Sequence, residues 1–283
     1  MYVCDLEKIV GKFKSLVEWE VGDDDSPRIT PDARSITLYT PGYTLTLVFS
    51  IAYHDLSQTV MIATESNPQA LLRGLPSLKG PFRPLDLSTF PPSPQEAFID
   101  WLKDAIDNDI KEPHAMTLST IDEDGYPDAR VLILKNLDHR GWHFAIKADS
   151  PKGKQILNNS AVALTFYWPH LGRQIRIRGV AAQLPAEESA RDFSERPIGS
   201  KVTALASKQS EVLKDAEELQ QGLRNARQKM EMEPDYVSPA WTVFAVAART
   251  VEFWQGVTDR MHQRLRYKTS DTGKEWTQDV LSP

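Results

Sequence analysis

The stretch 115–148 constrains the fold more than any other part of the chain. AMTLSTI and ARVLILK flank Asp122-Glu123-Asp124-Gly125, and Asp-Gly is the dipeptide that a tight antiparallel turn selects. WHFAIKA supplies a third strand. SPKGKQILNN follows as a short helix, with Ser150 as N-cap and Pro151 at the first helical position. AVALTFYW and RQIRIRGVAAQL are further strands, split by a Pro169-His170-Leu171-Gly172 turn, and WTVFAVAARTVEFWQG and QRLRYK return to strand. WTQDVLSP closes the chain. Helices are expected at 93–110, 186–195, 200–208 and 211–232. In the first of these, Ser93 caps, Glu96 completes a capping box, and Ala97, Phe98, Trp101, Leu102, Ala105 and Ile106 form one apolar face. The last carries only a sparse stripe of Leu213, Leu219 and Leu223 and reads as a solvated cover. About six antiparallel strands with inserted helices do not give the strand–helix alternation of a doubly wound sheet. The expectation is a mainly β fold, a small barrel with helical additions.

The first 90 residues are read as a separate extension. Leu6, Ile9, Val10, Phe13, Leu16 and Val17 recur at helical spacing, and 23–27 is a loop. SITLYT and YTLTLVFSI around Pro41-Gly42 predict a hairpin, and SQTVMIAT a further strand. Prolines and glycines recur from 66 to 94 and predict a surface linker. The domains are thus placed at 1–90 and 91–283.

A net charge of −6 and a pI near 5.6 argue against nucleic acid as the main partner. Cys4 is the single cysteine, so no intrachain disulfide forms, which fits a reducing compartment. The apolar run 43–53 falls short of the roughly 20 residues that a membrane helix needs, and its alternation is that of a strand. No secretory leader is evident at the start, and the expectation is a cytoplasmic protein with no membrane partner. The six histidines show no ligand-like spacing, so no metal site is expected.

On this acidic background, Arg130, Lys135, Lys152 and Lys154 gather in one stretch, 129–154. Arg130 and Lys135 fall on one predicted strand at opposite parity, so they would serve two different anions, or simply protect a strand edge. Lys152 lies in the first turn of a helix, where a cation is out of place unless an anion sits at the free N–H groups. Gln174 can both donate and accept on a strand read as facing inward. Gln209 and Ser210 read as a helix end and the next N-cap. Arg196-Pro197 and Gly199-Ser200 form a loop suited to phosphate. In VEFWQGVTDRMHQRLRY, Trp254 could cover an aromatic ligand, and Arg260, His262 and Arg264 alternate as if on one strand face.

Taken in series, RVLILK, RQIRIRG, FSERP..S, SKQS, EFWQG and RMHQR resemble the pyridoxamine/pyridoxine 5′-phosphate oxidase family, from about Pro94 to Pro283. The resemblance implies an FMN-binding split β-barrel and a homodimer with FMN at the subunit interface. It places Arg130 and Lys152 on the FMN phosphate. Val131, Leu132, Lys135, Ala145, Ile146, Gln174, Gln209, Ser210, Trp254 and Arg264 would lie along the flavin. Lys135, Asp192, Arg196 and Ser200 would meet the phosphate of a small phosphorylated pyridine. Arg260, Met261 and His262 would lie over the pyridine ring, with Arg260 and His262 catalytic. The implied reaction oxidises the amine or alcohol to the aldehyde with dioxygen as acceptor. Three positions depart from the family pattern. Asp192 replaces a tyrosine, Ala145-Ile146 replaces an aromatic-threonine pair, and Pro151 replaces an arginine, which predicts weaker FMN binding. Alternatives within the same fold are a flavin oxidase of phenazine-type biosynthesis and a non-catalytic FMN- or pyridoxal-phosphate-binding protein.

Overall fold

The structure is a computed structural model that describes residues 35–40, 43–49, 60–65, 67–83, 85–213, 215–270 and 275–283. The helix predicted at 6–17 and the loop at 23–27 lie outside the described residues. The chain divides into two compact units, 1–77 and 78–283.

In the first unit, β1 (Ser35–Thr40), β2 (Tyr43–Phe49) and β3 (Val60–Glu65) form an antiparallel sheet in that order. The expected hairpin is present, with Leu38 opposite Leu45, and β3 adds to β2 with Thr46 opposite Ala63. The predicted linker is not featureless. It carries α1 (Pro68–Gly74), started by Asn67, whose side chain accepts from the backbone N–H of Gln69 and Ala70. A 3-10 turn at Leu87–Thr89, in the second unit, is capped likewise by Asp86.

The second unit is organised by strand β10 (Trp241–Gln255). Its first half pairs with β7 (Gly141–Lys147), its second half with β11 (Gln263–Thr269), and nearly its whole length with β9 (Arg173–Gln183). A register shift between Ala248 and Thr250 falls where the neighbour changes from β7 to β11. An extra residue there bends the strand and increases its twist, which is how one sheet curls toward a barrel. The path runs β12 (Trp276–Val280), β11, β10, β9, β8 (Ala161–Trp168), β4 (Ala115–Ile121), β5 (Pro127–Ile133), with β6 (Asn136–Asp138) paired to β7. Nine strands exceed the six expected. β6 is too short to show an alternation, and β12 pairs only with β11.

Three helices match expectation closely. α2 (Pro94–Asp107) starts at Ser93, whose Oγ accepts from the Glu96 N–H at 3.2 Å. It buries Ala97, Phe98, Trp101 and Ala105 against the sheet, with Phe98–Phe166 and Trp101–Phe253 edge-to-face at 4.9 and 5.0 Å. Ile106 is exposed, because it lies one residue, about 100°, around from that stripe. α3 (Pro151–Asn158) and α4 (Ala186–Glu195) follow the sequence reading. α5 (Ile198–Ala206) begins two residues early. α6 (Ala216–Met232) begins late, after its Asp215 cap, so Leu213 is exposed outside it. These two helices share a small core of Val202, Ala226 and Met230, apart from the main one. Among the described residues no helix is long and apolar enough to cross a membrane.

Candidate functional site

A cavity of about 560 Å³ opens between the ends of β5 and β7, the first turn of α3, and α5. Nine predicted site residues line it: Val131, Leu132, Lys135, Ala145, Ile146, Lys152, Arg196, Ser200 and Gln209. Ile133 and Gly199 also line it, and sequence reasoning missed Lys147, Thr203, Ala204, Ser207 and Trp241, which complete the wall. The signal for the α5 members was there. Positions 199, 203 and 207, with 200 and 204, repeat every four residues, so small side chains fall on one helix face.

Lys152 reaches the cavity because α3 starts where it does. Ser150 Oγ accepts from the Gly153 N–H, and Gly153 has no room for a side chain: a Cβ would lie 2.4 Å from the Ala148 carbonyl oxygen. The first turn therefore rests directly on the backbone of Lys147 and Ala148. Lys152 is only 6% exposed, and its Nζ donates to Gln209 Oε1 at 2.8 Å and Ser150 Oγ at 3.4 Å. Both acceptors are neutral, and among the described residues no carboxylate stands at ion-pair distance. Burial pushes the ammonium below its ordinary pKa, the nearby Arg130 and Lys147 charges push the same way, and Asp128 only partly offsets them. A buried cation without a counter-ion costs several kcal/mol, and an anionic ligand relieves that cost. Arg130 stands behind the cavity rather than in it. Its guanidinium pairs with Asp128 and donates to Thr120 Oγ1 at 2.6 Å.

Arg130 and Lys135 are not on one strand. β5 ends at Ile133, and the chain turns away as the Leu134 N–H donates to His114 O and the Lys135 N–H to His143 O. Lys135 enters the cavity from that connection, with Nζ 3.7 Å from Asp192 Oδ2 on α4. Asp192 Oδ1 accepts from Trp241 Nε1 at 2.7 Å, and the Arg196 guanidinium lies 4.0 Å over the same indole ring. Arg196 Nε is buried without a hydrogen-bond partner among the described residues. Burial pushes Arg196 below its ordinary pKa, and Asp192 partly offsets that.

The remaining predicted residues form a second group. Gln174 lies opposite Trp254, and Trp254 opposite Arg264, in one cross-strand row that continues to Tyr167 on β8. Gln174 does not face inward, since its neighbours Arg173 and Ile175 are the buried ones. Arg260 and His262 are not on a strand with Arg264. They precede β11 in a tight turn where Arg260 has φ 70° and the His262 N–H donates to the Arg260 carbonyl oxygen. His262 Nδ1 accepts from the Val257 N–H at 3.2 Å, its ring lies 4.8 Å from that of Trp254, and Met261 is exposed. Arg264 pairs with Glu252 at 2.8 Å. Gln209 and Ser210 end and start no helix. Ser207 is the C-cap of α5, Asp215 the N-cap of α6, and Ser210 has φ 67° in the turn between.

A further ionic cluster escaped the sequence reading. Arg140 donates to Asp138 at 2.6 and 2.9 Å and to Glu188 at 2.6 and 3.0 Å, and His143 Nε2 lies 3.0 Å from Asp138 Oδ1. It ties the β6–β7 hairpin to α4, which carries Asp192. Burial draws the Asp138 carboxyl upward. The Arg140 hydrogen bonds and the neighbouring positive charges outweigh it, leaving the pKa at about 2.

A curled antiparallel sheet with a cation-lined cavity at a helix start defines an FMN-binding split barrel as the class. PhzG from Burkholderia lata, solved in complex with tetrahydrophenazine-1-carboxylic acid, is similar over 72% of this chain and 100% of its own. It is 27% identical, with a TM-score of 0.67. An FMN-binding protein related to pyridoxamine 5′-phosphate oxidase from Nostoc punctiforme shares the fold at TM-score 0.56, with 14% identity, over 68% of this chain and 98% of its own. The family model described as pyridoxamine 5′-phosphate oxidase matches residues 102–255. The model of the pyridoxine 5′-phosphate oxidase C-terminal dimerisation region matches 241–283. The pyridoxine/pyridoxamine 5′-phosphate oxidase of Salinibacter ruber is 42% identical over 191 residues, 67% of this chain and 89% of its own. That of Pseudomonas fluorescens is 39% identical over 196 residues, 68% and 90%. The chain belongs to the pyridoxamine 5′-phosphate oxidase family of oxidoreductases.

Proposed function

We propose that the chain is an FMN-dependent oxidase. It converts pyridoxamine 5′-phosphate or pyridoxine 5′-phosphate to pyridoxal 5′-phosphate, with dioxygen as acceptor and hydrogen peroxide released. The observation that carries this reading is Lys152, a buried ammonium with neutral partners only, set at a helix N-terminus on the wall of a cavity. That donor set fits the phosphate of FMN, and the apolar side chains of Val131, Leu132, Ala145 and Ile146 fit beside its ring system.

When bound, FMN supplies the redox chemistry, accepting a hydride equivalent from the substrate and passing the electrons to dioxygen. The protein contributes position and charge. Lys152 and the first turn of α3 hold the flavin phosphate, with Arg130 adding positive charge behind them and Gln209 orienting the ammonium. Lys135, Arg196 and Ser200 bind the substrate phosphate. Gln174, Trp254, Arg264 and the Arg260–Met261–His262 turn do not line their own cavity. In a homodimer they complete the partner's, a reading that the dimerisation-region match and the half-exposed row from Tyr167 to Arg264 support. There Arg260 and His262 would lie over the pyridine ring. Because the His262 Nδ1 accepts from the Val257 N–H, a neutral ring keeps its proton at Nε2 and can orient the substrate by donating from there.

Oxygen uptake by FMN-loaded protein tests the proposal. Uptake with either substrate, matched by equimolar hydrogen peroxide, is the expected result, and no uptake with both overturns it. The likeness to PhzG and the carboxylate of Asp192 at the substrate end favour a second reading, an oxidase acting on a different metabolite. Uptake only with a tricyclic carboxylic acid substrate would select it.

A further inference from the structure

We propose that Asp192 is a specificity-determining residue that narrows the subsite's preference for a dianion over a singly charged anionic group. The inference rests on reading the cavity as the substrate site. It concerns the outer subsite, where Lys135 and Arg196 are the two cations an anion would meet.

Asp192 stands between these two. Its Oδ2 lies 3.7 Å from Lys135 Nζ, and its Oδ1 accepts from Trp241 Nε1 at 2.7 Å. Arg196 rests on the other side of the same indole, 4.0 Å from the ring centre. The carboxylate is thus fixed. Its side chain is 18% exposed, and turning it away would strand the N–H of an indole that is itself buried. Two cations and one immobile anion leave the subsite with a net charge of one. Lys152 and Lys147, the other cations that line the cavity, donate to Gln209 and to the Ser207 carbonyl oxygen and not to this group. A singly charged ligand balances the subsite, and the Nε of Arg196, buried and without a partner among the described residues, leaves it a donor. The second charge of a dianion meets Asp192 with no cation left to answer it, and a like-charge contact in a partly dehydrated pocket is strongly unfavourable.

Two isosteric esters that differ by one charge test this. Pyridoxine 5′-phosphate is a dianion at pH 8, since the second phosphate pKa is about 6, whereas pyridoxine 5′-sulfate is a monoanion. Dissociation constants for both are measured by calorimetry on the FMN-loaded full chain. The wild type should bind the two esters with dissociation constants within about threefold of each other. Asp192→Asn keeps the acceptor for Trp241 and removes the charge. It should tighten the phosphate by about tenfold, and the sulfate by no more than about threefold. In a Lys135→Met background the same substitution should still tighten the phosphate more than the sulfate, and equal gains for the two esters would overturn the charge argument. Should Asp192→Asn fail to fold, Asp192→Ser carries the same comparison. If the wild type binds both esters and their ratio does not move in the variant, the inference fails and the substrate reading stands. If the wild type binds neither, both fail.

Discussion

Two groups of cations in this protein are built on opposite plans. Arg140 is paired on both sides: two hydrogen bonds go to Asp138 Oδ2 and one to each carboxylate oxygen of Glu188, with His143 closing the group. Lys152 is more buried, yet it meets only an amide oxygen and a hydroxyl. Arg196 keeps a buried Nε with no partner among the described residues. A paired cation fastens one element to another, here the β6–β7 hairpin to α4. A buried cation left unpaired is a cost to the fold that a ligand removes. Counting positive charges therefore says less about a site than asking which of them lack an acceptor.

Substitutions can break this contrast. Lys152→Met should weaken FMN binding by about 100-fold in a flavin fluorescence titration, while leaving the thermal midpoint of the flavin-free protein unchanged or raised. Arg140→Met should do the reverse. It should lower the urea midpoint, since these pairs tie the hairpin to α4, and keep FMN affinity within about threefold. Equal loss of flavin in both variants would erase the distinction. The smallest effect concerns pH. The Asp138 carboxyl titrates at about 2 in the fold against 3.8 ordinarily, so its stabilisation is complete above 3.8 and disappears as pH falls through about 2. Asp138→Asn should flatten the stability profile across that interval, and a variant with the wild-type slope there would show that other carboxylates set it.

The sequence made the sheet and one side of the site legible. Ser150-Pro151 placed Lys152 at a helix start, and alternation placed β4, β5, β8 and β9. Parity arguments failed where a strand stopped early. Lys135 seemed to continue β5, but the His114 and His143 carbonyls, distant in the chain, turn the backbone at Leu134. Likewise Arg260 and His262 alternate with Arg264 in the sequence, while the turn at Arg260 breaks the strand they were placed on. Trp241 and the Arg140 cluster were invisible, because their partners sit 49 and 48 residues away. Local patterns report on elements, and the partners of charged groups are set by how those elements pack.

α5, which walls the cavity, and α6 rest on a core of their own. Val202, Ala226 and Met230, with Leu205, Leu223 and Tyr236 beside them, make no part of the cluster that holds the sheet together. Gly222 lets the two helices approach until a Cβ there would sit 2.9 Å from the Ala206 carbonyl oxygen. Such a pair can open as a unit at a fraction of the free energy of global unfolding. Amide hydrogen exchange should therefore run faster in α5 and α6 than in β10. Ligand saturation should slow it in α5 most of all, so the affinity measured at the cavity includes the work of closing that wall.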